Sequence, residues 1–530
     1  MLLSKLIEEI QETPSMEETA TQLTKAIKKS GFKAFFVGGF IRDRLIGIKS
    51  KDIDITTEAI PEEIAEIIKK EFPDATILEV GQKFAITIAI INGYQIEIAT
   101  FRKEGEYKDG RRPDSVEYTK DPKLDAARRD FTINAIYFDP ETGESEDHFG
   151  GQEDIKNKNI RAVGDANLRF EEDVLRVLRA VRLAFKTGFK IEDKTYEALK
   201  KAVPKIHLIS KERVREEMDK ILMTDKPGDA LLMLQDTGLL QELFPEVANL
   251  SGLKHNPVHH PEGVVLEKHV VNALNVCKKD LVLRWAILLH DTGKGVVKKE
   301  KEGADYFIYG GHEKESVKLA QSVLKRFKFS TDVANDILWL IEHHGDFMQI
   351  KDYLEGKKNK NFGIYQIREL LKHPLFDKLL DHCRADRGAS MSAEFNSDVE
   401  QTIATLKSME KSFKESPKYQ DMTSSKNLID GNVLASFGIK GPEIGEVLTL
   451  LKNKYFGDEI ETKEELMTYF LEKVLPDHMK ISRKDLEEAY PDIDKPKLGE
   501  LKRAALLAIQ SKALKNTKTD ILEFIKNIIK

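Results

Sequence analysis

The sequence predicts an α/β head built on a mixed sheet with helices, followed by an all-α neck, body and tail. Three observations carry that expectation. Between about Phe32 and Phe138, short β-rich apolar runs alternate with stretches of helical spacing. After Ala166 the strand signals end, and apolar residues recur every three or four positions to the C-terminus. A length of 530 residues, at about 150 per domain, calls for three or four domains and not one core.

Composition bounds the class. Hydrophobic residues make up 41% and charged residues 33%, which suits a globular chain and excludes wholesale disorder. No apolar run approaches the roughly 18 residues of a membrane span, so no membrane association is expected. The N-terminus meets Glu8 and Glu9 too early for a secretory signal. Two cysteines, Cys277 and Cys383, cannot build a disulfide framework, and a cytoplasmic setting is expected. The net charge of −6, from 84 basic and 90 acidic residues, taken alone argues against a nucleic-acid partner. That figure averages over faces and domains.

The elements follow in order. Helical spacing runs over 1–30 through Leu3, Ile7, Ile10, Leu23 and Ile27. Strands are expected at 33–37, 52–56, 84–90 and 94–101, with helices near 40–47 and 61–71 between them. Breaks near 224–227, 257–261, 303–311 and 416–426 divide the remainder. The expected domains are a head at 1–165, a neck at 166–225, a body at 226–400 and a tail at 401–530. There are no internal repeats, and the run Lys357-Lys358-Asn359-Lys360 reads as a solvated loop.

Within the head, an apolar strand runs into Gly38-Gly39 and then into helical spacing. Glycines there let backbone N–H groups approach a phosphate. In the strand that follows, Asp52 and Asp54 point one way while Ile53 and Ile55 point into the core. Two adjacent carboxylates repel unless a cation lies between them. A third acid, Glu97, falls inside an apolar strand, where an unpaired buried charge is costly and a partner is expected. Three such carboxylates on adjacent strands suit Mg²⁺ and phosphoryl transfer.

The series Gly38-Gly39-x-x-Arg42-Asp43, eight residues, then Asp52-x-Asp54 resembles the nucleotidyltransferase core of the class II tRNA nucleotidyltransferase and poly(A) polymerase family. Arg129-Asp130-Phe131-Thr132-x-Asn134-Ala135 resembles that family's second motif, which contacts ribose and triphosphate. Asp139-Pro140-x-x-Gly143-x-x-x-Asp147 and Ile160-Arg161-x-Val163-Gly164-Asp165 resemble the connector and the close of the head. These motifs stand in the family's order over about the first 220 residues. The resemblance implies that Asp52, Asp54 and Glu97 are catalytic and hold Mg²⁺, and that Gly38, Gly39, Arg42, Asp43, Arg129, Asp130 and Asn134 bind nucleotide.

In the neck, Asp173 and Arg176 lie three apart and are expected on one helix face. In the family this Glu-Asp-x-x-Arg motif reads the incoming base. Arginine only donates and aspartate only accepts hydrogen bonds. Cytosine and adenine both offer a ring-nitrogen acceptor beside an amino donor, so the pair should admit CTP and ATP. UTP and GTP would leave polar groups unpaired, at about 1–3 kcal/mol each. Arg179 and Arg182 continue the basic face, either to bind phosphates or to pair with acids. Ser210-x-Glu212-Arg213-Val214-x-x-Glu217 resembles the motif that props the neck helix.

Two branches of the family compete. The strand Val80-Gly81-Gln82-Lys83-Phe84-Ala85-Ile86-Thr87 resembles the CCA branch and departs from the more basic segment of bacterial poly(A) polymerases. The loop from Arg102 to Val116, with Arg111 and Arg112, resembles the tRNA-binding loop needed for the final A. Full CCA addition to tRNA is therefore favoured over poly(A) addition.

A second constellation lies in the body. His269, His290-Asp291, His312, His343-His344 and Asp386 form a series of imidazoles and carboxylates that suits divalent metals. Leu288-Leu289-His290-Asp291-Thr292-Gly293-Lys294 looks like the hallmark of an HD phosphohydrolase domain. Glu267-x-His269, Gly311-His312-Glu313-x-x-Ser316 and Arg384-Ala385-Asp386 match its other elements. The resemblance implies a divalent metal of unspecified identity and hydrolysis of a phosphomonoester or cyclic phosphate. Either or both of His343 and His344 supply ligands. The other readings are a mainly HD-type phosphohydrolase with a nucleotide-binding head, and an RNA-binding module without catalysis.

In the tail, Gly441 and Pro442 mark a helix start, within a segment that resembles the helical element bacterial relatives use to hold the tRNA body. Residues 496–530 carry eight basic residues against three acidic ones. Such a segment suits RNA phosphates or a solvated amphipathic helix.

Overall fold

The first described helix starts at Met16 because Ser15 and Glu18 close a capping box. Glu18 N donates to Ser15 Oγ at 3.2 Å and Ser15 N donates to Glu18 Oε2 at 2.7 Å. Lys28 and Lys29 in its last turn complement the helix dipole. The computed structural model describes residues 14–50, 52–79, 85–104, 116–257, 260–357, 362–389, 393–423 and 429–529.

Among the described residues these strands follow: β1 (Ala34–Val37), β2 (Asp54–Thr57), β3 (Thr76–Glu79), β4 (Ile86–Ile91), β5 (Tyr94–Thr100), β6 (Arg102–Glu104), β7 (Val116–Tyr118), β8 (Ile136–Phe138) and β9 (Ser145–Asp147). Seven of them form one sheet in the order β3-β4-β5-β2-β1-β8-β9, and β6 pairs with β7 apart from it. β2 and β5 run parallel while β1 runs antiparallel to β2, so the sheet is mixed as expected.

Alternation along the strands sorts the two faces. Phe36, Ile53, Ile55, Ile96 and Ile98 pack with Leu23, Ile27, Ile64 and Ile68 from the helices Met16–Lys29 and Pro61–Glu71. Phe35, Val37, Phe101 and Tyr137 form a second cluster on the other face. Register places Val37 beside Asp54 and Asp54 beside Glu97, so both acids belong to that second face.

In the neck the structure corrects one expectation. Asp173 and Arg176 do not share a helix face: one helix ends at Glu172, Asp173 is extended (φ −144°), and the next helix begins at Arg176. Asp173 caps the break by accepting from Leu175 N at 3.1 Å, a local bond that competes with helix continuation. Neither the neck nor the body is purely helical. Asn159–Ile160 pairs with Lys190–Ile191, and Lys299–Glu300 with Phe307–Ile308. Two-residue strands are too short to leave a period in the sequence.

The chain forms two compact units, Met1–Glu342 with Ala385–Ser392, and His343–Arg384 with Ala393–Lys530. Beyond the head, the first unit packs around Trp285 and Phe244, whose ring stacks on Phe327 at 4.7 Å. Beside them Arg284, 2% exposed, donates to the carbonyls of Thr224 at 2.8 Å, Cys277 at 3.0 Å and Leu222, satisfying chain ends that water cannot reach. The second unit has its own core around Leu434, Phe437, Phe470 and Ile521. Its helix Pro442–Phe456 starts at the expected Gly441-Pro442. Both cysteines are buried and are not joined in a disulfide. Among the described residues no helix is long and apolar enough to cross a membrane.

Candidate active sites

The first site forms where β1 ends. Gly38 has φ +77°, and a Cβ there would lie 3.3 Å from Asp54 Oδ2, so only glycine lets the backbone pass the carboxylate without strain. Asp54 opens β2 beside Glu97 on β5, with Asp52 exposed two residues earlier. Half-buried Asp54 is pushed up to about 6, first by burial and then by Glu97 and Asp52, while Arg129 pulls the other way. Glu97 itself is exposed, which corrects the expectation that it needs a buried partner. It sits on the open strip of the second face, where water and a cation reach it. Asp54, Glu97 and Asp52 are hard oxygen donors near one another, the ligand type that Mg²⁺ takes.

Arg129 is aimed by its neighbours. Its Nε donates to Tyr137 Oη at 3.1 Å and its Nη2 to Asp125 Oδ2 at 3.2 Å. Asp125, fully buried, also accepts from Arg128 Nε at 2.9 Å, Arg102 N at 3.1 Å and the Tyr137 hydroxyl. Charge on Asp125 raises the already strong basicity of Arg129 against the effect of burial.

Arg42, Asp43, Asn134 and Asp130 are drawn into one buried chain. Lys186 donates to Asp43 Oδ2 at 2.8 Å, and Arg42 donates to Asp43 Oδ1 at 2.7 Å and to Asn134 Oδ1 at 2.6 Å. Asn134 donates to Asp130 Oδ1 at 3.0 Å, and Arg179 donates to Asp130 Oδ2 at 2.5 Å. The chain begins and ends on the helix Arg176–Thr187, so it straps the neck to the head. Burial opposes ionisation of Asp130, but Arg179 and Asn134 hold its carboxyl well below the usual range. Arg182 pairs with Glu217 at 2.6 Å. Of the two uses open to Arg179 and Arg182, both show the pairing with acids.

At the helix break, Asp173 Oδ2 accepts from Arg213 Nη2 at 2.8 Å. Arg176 donates to Glu172 Oε2 at 2.6 Å, Arg169 O at 2.8 Å and Arg128 O at 3.1 Å. Each of the two expected base readers is thus held by a different partner. Val80–Lys83 of the CCA-like strand, and Arg111 and Arg112 of the loop, lie outside the described residues.

The second site is in the body. Nε2 of His269 lies 2.9 Å from Asp386 Oδ1 and 3.5 Å from Asp291 Oδ2. Nε2 of His290 lies 3.4 and 3.3 Å from the same two atoms, and His312 Nε2 lies 3.3 Å from Asp291 Oδ1. The far nitrogens of two rings meet carbonyls, His290 Nδ1 at Ile287 O (2.8 Å) and His312 Nδ1 at Tyr309 O (3.0 Å). A carbonyl only accepts, so those Nδ1 atoms carry the hydrogens and the Nε2 lone pairs face the acids. Burial works against a charged His269, yet Asp386 and Glu262 hold it up at about 9. One donor atom each from His269, His290 and Asp386 fall within 4.8 Å of one another, an imidazole and carboxylate set that fits a zinc- or manganese-type ion. Gly293 lets two helices meet here, since a Cβ would stand 2.2 Å from His312 O. His343 and His344 fall in the second unit, where His343 Nδ1 is 2.7 Å from Asp346 Oδ2 and the His344 ring is 5.8 Å from that of His382.

Residues 34–161 match the family model of the poly A polymerase head domain, 188–250 that of a probable RNA and SrmB-binding site of polymerase A, and 265–391 that of the HD domain. It is 41% identical over 226 residues to the CCA-adding enzyme of Geobacillus kaustophilus, covering 43% of this chain and 54% of that one. It is 42% identical over 210 residues to that of Enterococcus faecalis, covering 40% and 50%. The chain thus spans about half the length of the curated relatives it matches. Its fold resembles the Bacillus stearothermophilus CCA-adding enzyme in complex with CTP (TM-score 0.50, 22% identity, 97% of this chain and 98% of that chain). It also resembles the Thermotoga maritima enzyme complexed with tRNA_CCA (TM-score 0.52, 23% identity, 87% and 96%).

The structure adds residues that the motifs did not single out. Asp125 was within reach of sequence reasoning, because it precedes Arg128 and Arg129 by three and four positions. Lys186 and Tyr137 carried no such signal, since their partners lie 143 and 12 positions away. In the HD domain, Lys294 donates to Asp291 Oδ2 at 2.7 Å at helical spacing.

Proposed function

We propose that this chain is a CCA-adding tRNA nucleotidyltransferase, transferring CMP and AMP from CTP and ATP to a tRNA 3′ end with release of pyrophosphate. The observation that carries the reading is the alignment of Asp54 with Glu97 beside Gly38 and Arg129 in a poly A polymerase head. Mg²⁺ bound by Asp52, Asp54 and Glu97 would supply charge neutralisation at the transferred phosphate and a lower pKa for the attacking hydroxyl. Arg129, aimed by Asp125 and Tyr137, reaches the same region as Asp54 and would bind the triphosphate. Gly38 and Gly39 leave room for phosphate against the backbone. The strap through Arg42, Asp43, Asn134 and Asp130 would fix the neck relative to this head site. Asp173 and Arg176 would then present acceptor and donor to cytosine or adenine. The division into head (1–165), neck (166–225), HD body (226–400) and tail (401–530), with the tail and the Arg111-Arg112 loop on the tRNA, belongs to this reading. So does a cytoplasmic setting.

The test incubates the protein with Mg²⁺, each labelled NTP, and tRNA ending before, within or after CCA. Addition that stops at CCA supports the reading. Long A-tails on arbitrary RNA would identify a poly(A) polymerase instead.

The convergence of His269, His290 and Asp386 favours a second activity, hydrolysis of a phosphomonoester or cyclic phosphate. A divalent ion there would supply Lewis-acid activation of water and substrate. Asp54→Ala should abolish nucleotide addition and spare phosphatase activity, and His290→Ala should do the reverse. Loss of both activities in one variant would defeat the two-site reading.

A further inference from the structure

His269 presents its two nitrogens to two different neighbourhoods. Nε2 faces Asp386 and Asp291, as the other imidazoles of this centre do. Nδ1 faces Glu262 Oε1 at 2.8 Å. Glu262 lies on the segment before the helical turns that carry His269, outside every motif read from the sequence. It is not a surface acid: its side chain is 3% exposed. Its Oε1 also accepts from His260 Nδ1 at 3.0 Å. His255 Nδ1, at 4.0 Å, is too far to donate, and His255 Nε2 is taken up by Lys294 Nζ at 2.9 Å.

The chemistry of these contacts is directional. An ionised carboxylate only accepts, so His269 must place a hydrogen on Nδ1, which leaves Nε2 with a lone pair when the ring is neutral. His290 and His312 are oriented the same way by backbone carbonyls. At His269 no carbonyl does this, and a charged side chain takes its place. A carboxylate behind a metal-binding imidazole fixes the tautomer, locks the ring and raises its donor strength, and loss of such a partner weakens binding about 10–100-fold. We infer that Glu262 is the positioning residue of the HD centre, selecting the His269 nitrogen that binds the divalent ion. The inference rests on reading His269, His290, Asp291 and Asp386 as a metal centre, and it holds whether or not that centre turns over.

The test measures affinity, not activity. Full-length chain stripped with chelator is titrated with Zn²⁺ against a chromophoric competitor, and separately with Co²⁺ while its d–d absorption is recorded. Asp386→Ala defines how much binding belongs to this centre. Glu262→Ala should weaken Zn²⁺ about 10–100-fold and alter the Co²⁺ spectrum. Glu262→Gln, whose amide oxygen still accepts from Nδ1, should recover most of the affinity. His260→Ala removes the other donor to Glu262 and should leave affinity within about threefold of wild type, since the Glu262–His269 bond remains. Wild-type affinity in Glu262→Ala would overturn the inference. So would an equal loss in His260→Ala, which would mean that packing and not the bond to His269 matters. If Asp386→Ala itself leaves binding unchanged, the metal-centre reading fails, and that result is distinct from failure at Glu262.

Discussion

Asp54→Asn should make the metal-free protein more stable while removing nucleotide addition. The Asp54 carboxyl is pushed from 3.8 to about 6, by burial first and by Glu97 and Asp52 next. Between about pH 4 and 6 the folded chain therefore holds a proton that the unfolded chain has lost, and stability falls as pH rises through that window. Above it the full penalty remains. Across those two pH units, at about 1.4 kcal/mol for each, the penalty has an upper bound of about 3 kcal/mol. Partial exposure of Asp54 brings the expected value to about 1–2 kcal/mol. Asparagine keeps the shape and does not titrate, so the variant should melt about 1–3 °C higher at pH 7.5 in EDTA. At pH 4.5 the gap should shrink to about a third, because folded wild type is then protonated while the unfolded chain is still partly ionised. Mg²⁺ should also narrow it by stabilising wild type alone. Scanning calorimetry from pH 4.5 to 8, with EDTA or Mg²⁺, measures all of this. A variant no more stable than wild type at pH 7.5 in EDTA, or a gap independent of pH, would refute the account of this site as a cluster of mutually repelling carboxylates.

Asp130→Ala should cost about 3–5 kcal/mol in urea unfolding, because it strands the Arg179 guanidinium and breaks the strap to the neck. Since the Asp130 carboxyl lies below its usual range, that stabilisation is present at neutral pH and is lost in acid, below about pH 4. Gly293→Ala places a Cβ 2.2 Å from His312 O, so it should destabilise by about 1–3 kcal/mol and reduce divalent-metal binding in dialysis, with nucleotide addition intact in a filter assay. Arg213→Ala frees the Asp173 carboxylate, and ratios of kcat/KM for CTP over UTP should fall at least about tenfold, the worth of one hydrogen bond to a charged group.

How much of this was legible in the sequence depends on the range of the interaction. The sheet and its two faces were readable because alternation writes Ile53 and Ile55 to one side and Asp52 and Asp54 to the other. The pairing of Asp54 with Glu97 was readable only as two acids on two strands, since register depends on contacts across 43 positions. Glu97 was misjudged because an apolar strand need not be buried on both faces. The helix break at Asp173 was hidden by good helical spacing on either side of it, and a side-chain bond to Leu175 N decided the matter. In the body the ligands announced themselves through His290-Asp291, whereas Glu262 did not. Its partner His269 lies seven positions on, but Glu262 stands in the turn before the helical residues, where helical spacing does not apply.

The strap also changes what the net charge of −6 can say about RNA. Arg42, Arg128, Arg176, Arg179 and Arg182 look like a basic surface in the sequence, yet each is paired with an acid of this chain: Asp43, Asp125, Glu172, Asp130 and Glu217. Those pairs cancel in the total and contribute little to the field outside the protein. They fix geometry: Arg42 and Arg179 each hold one carboxylate oxygen with two guanidinium nitrogens, which resists rotation. The acids left uncompensated include Asp52, Asp54 and Glu97, where a cation is proposed to bind. A total close to zero is therefore what a chain would show if its arginines build the framework, its free acids hold metal, and its contacts with phosphates are few and drawn from lysines elsewhere, such as those of the C-terminal 35 residues.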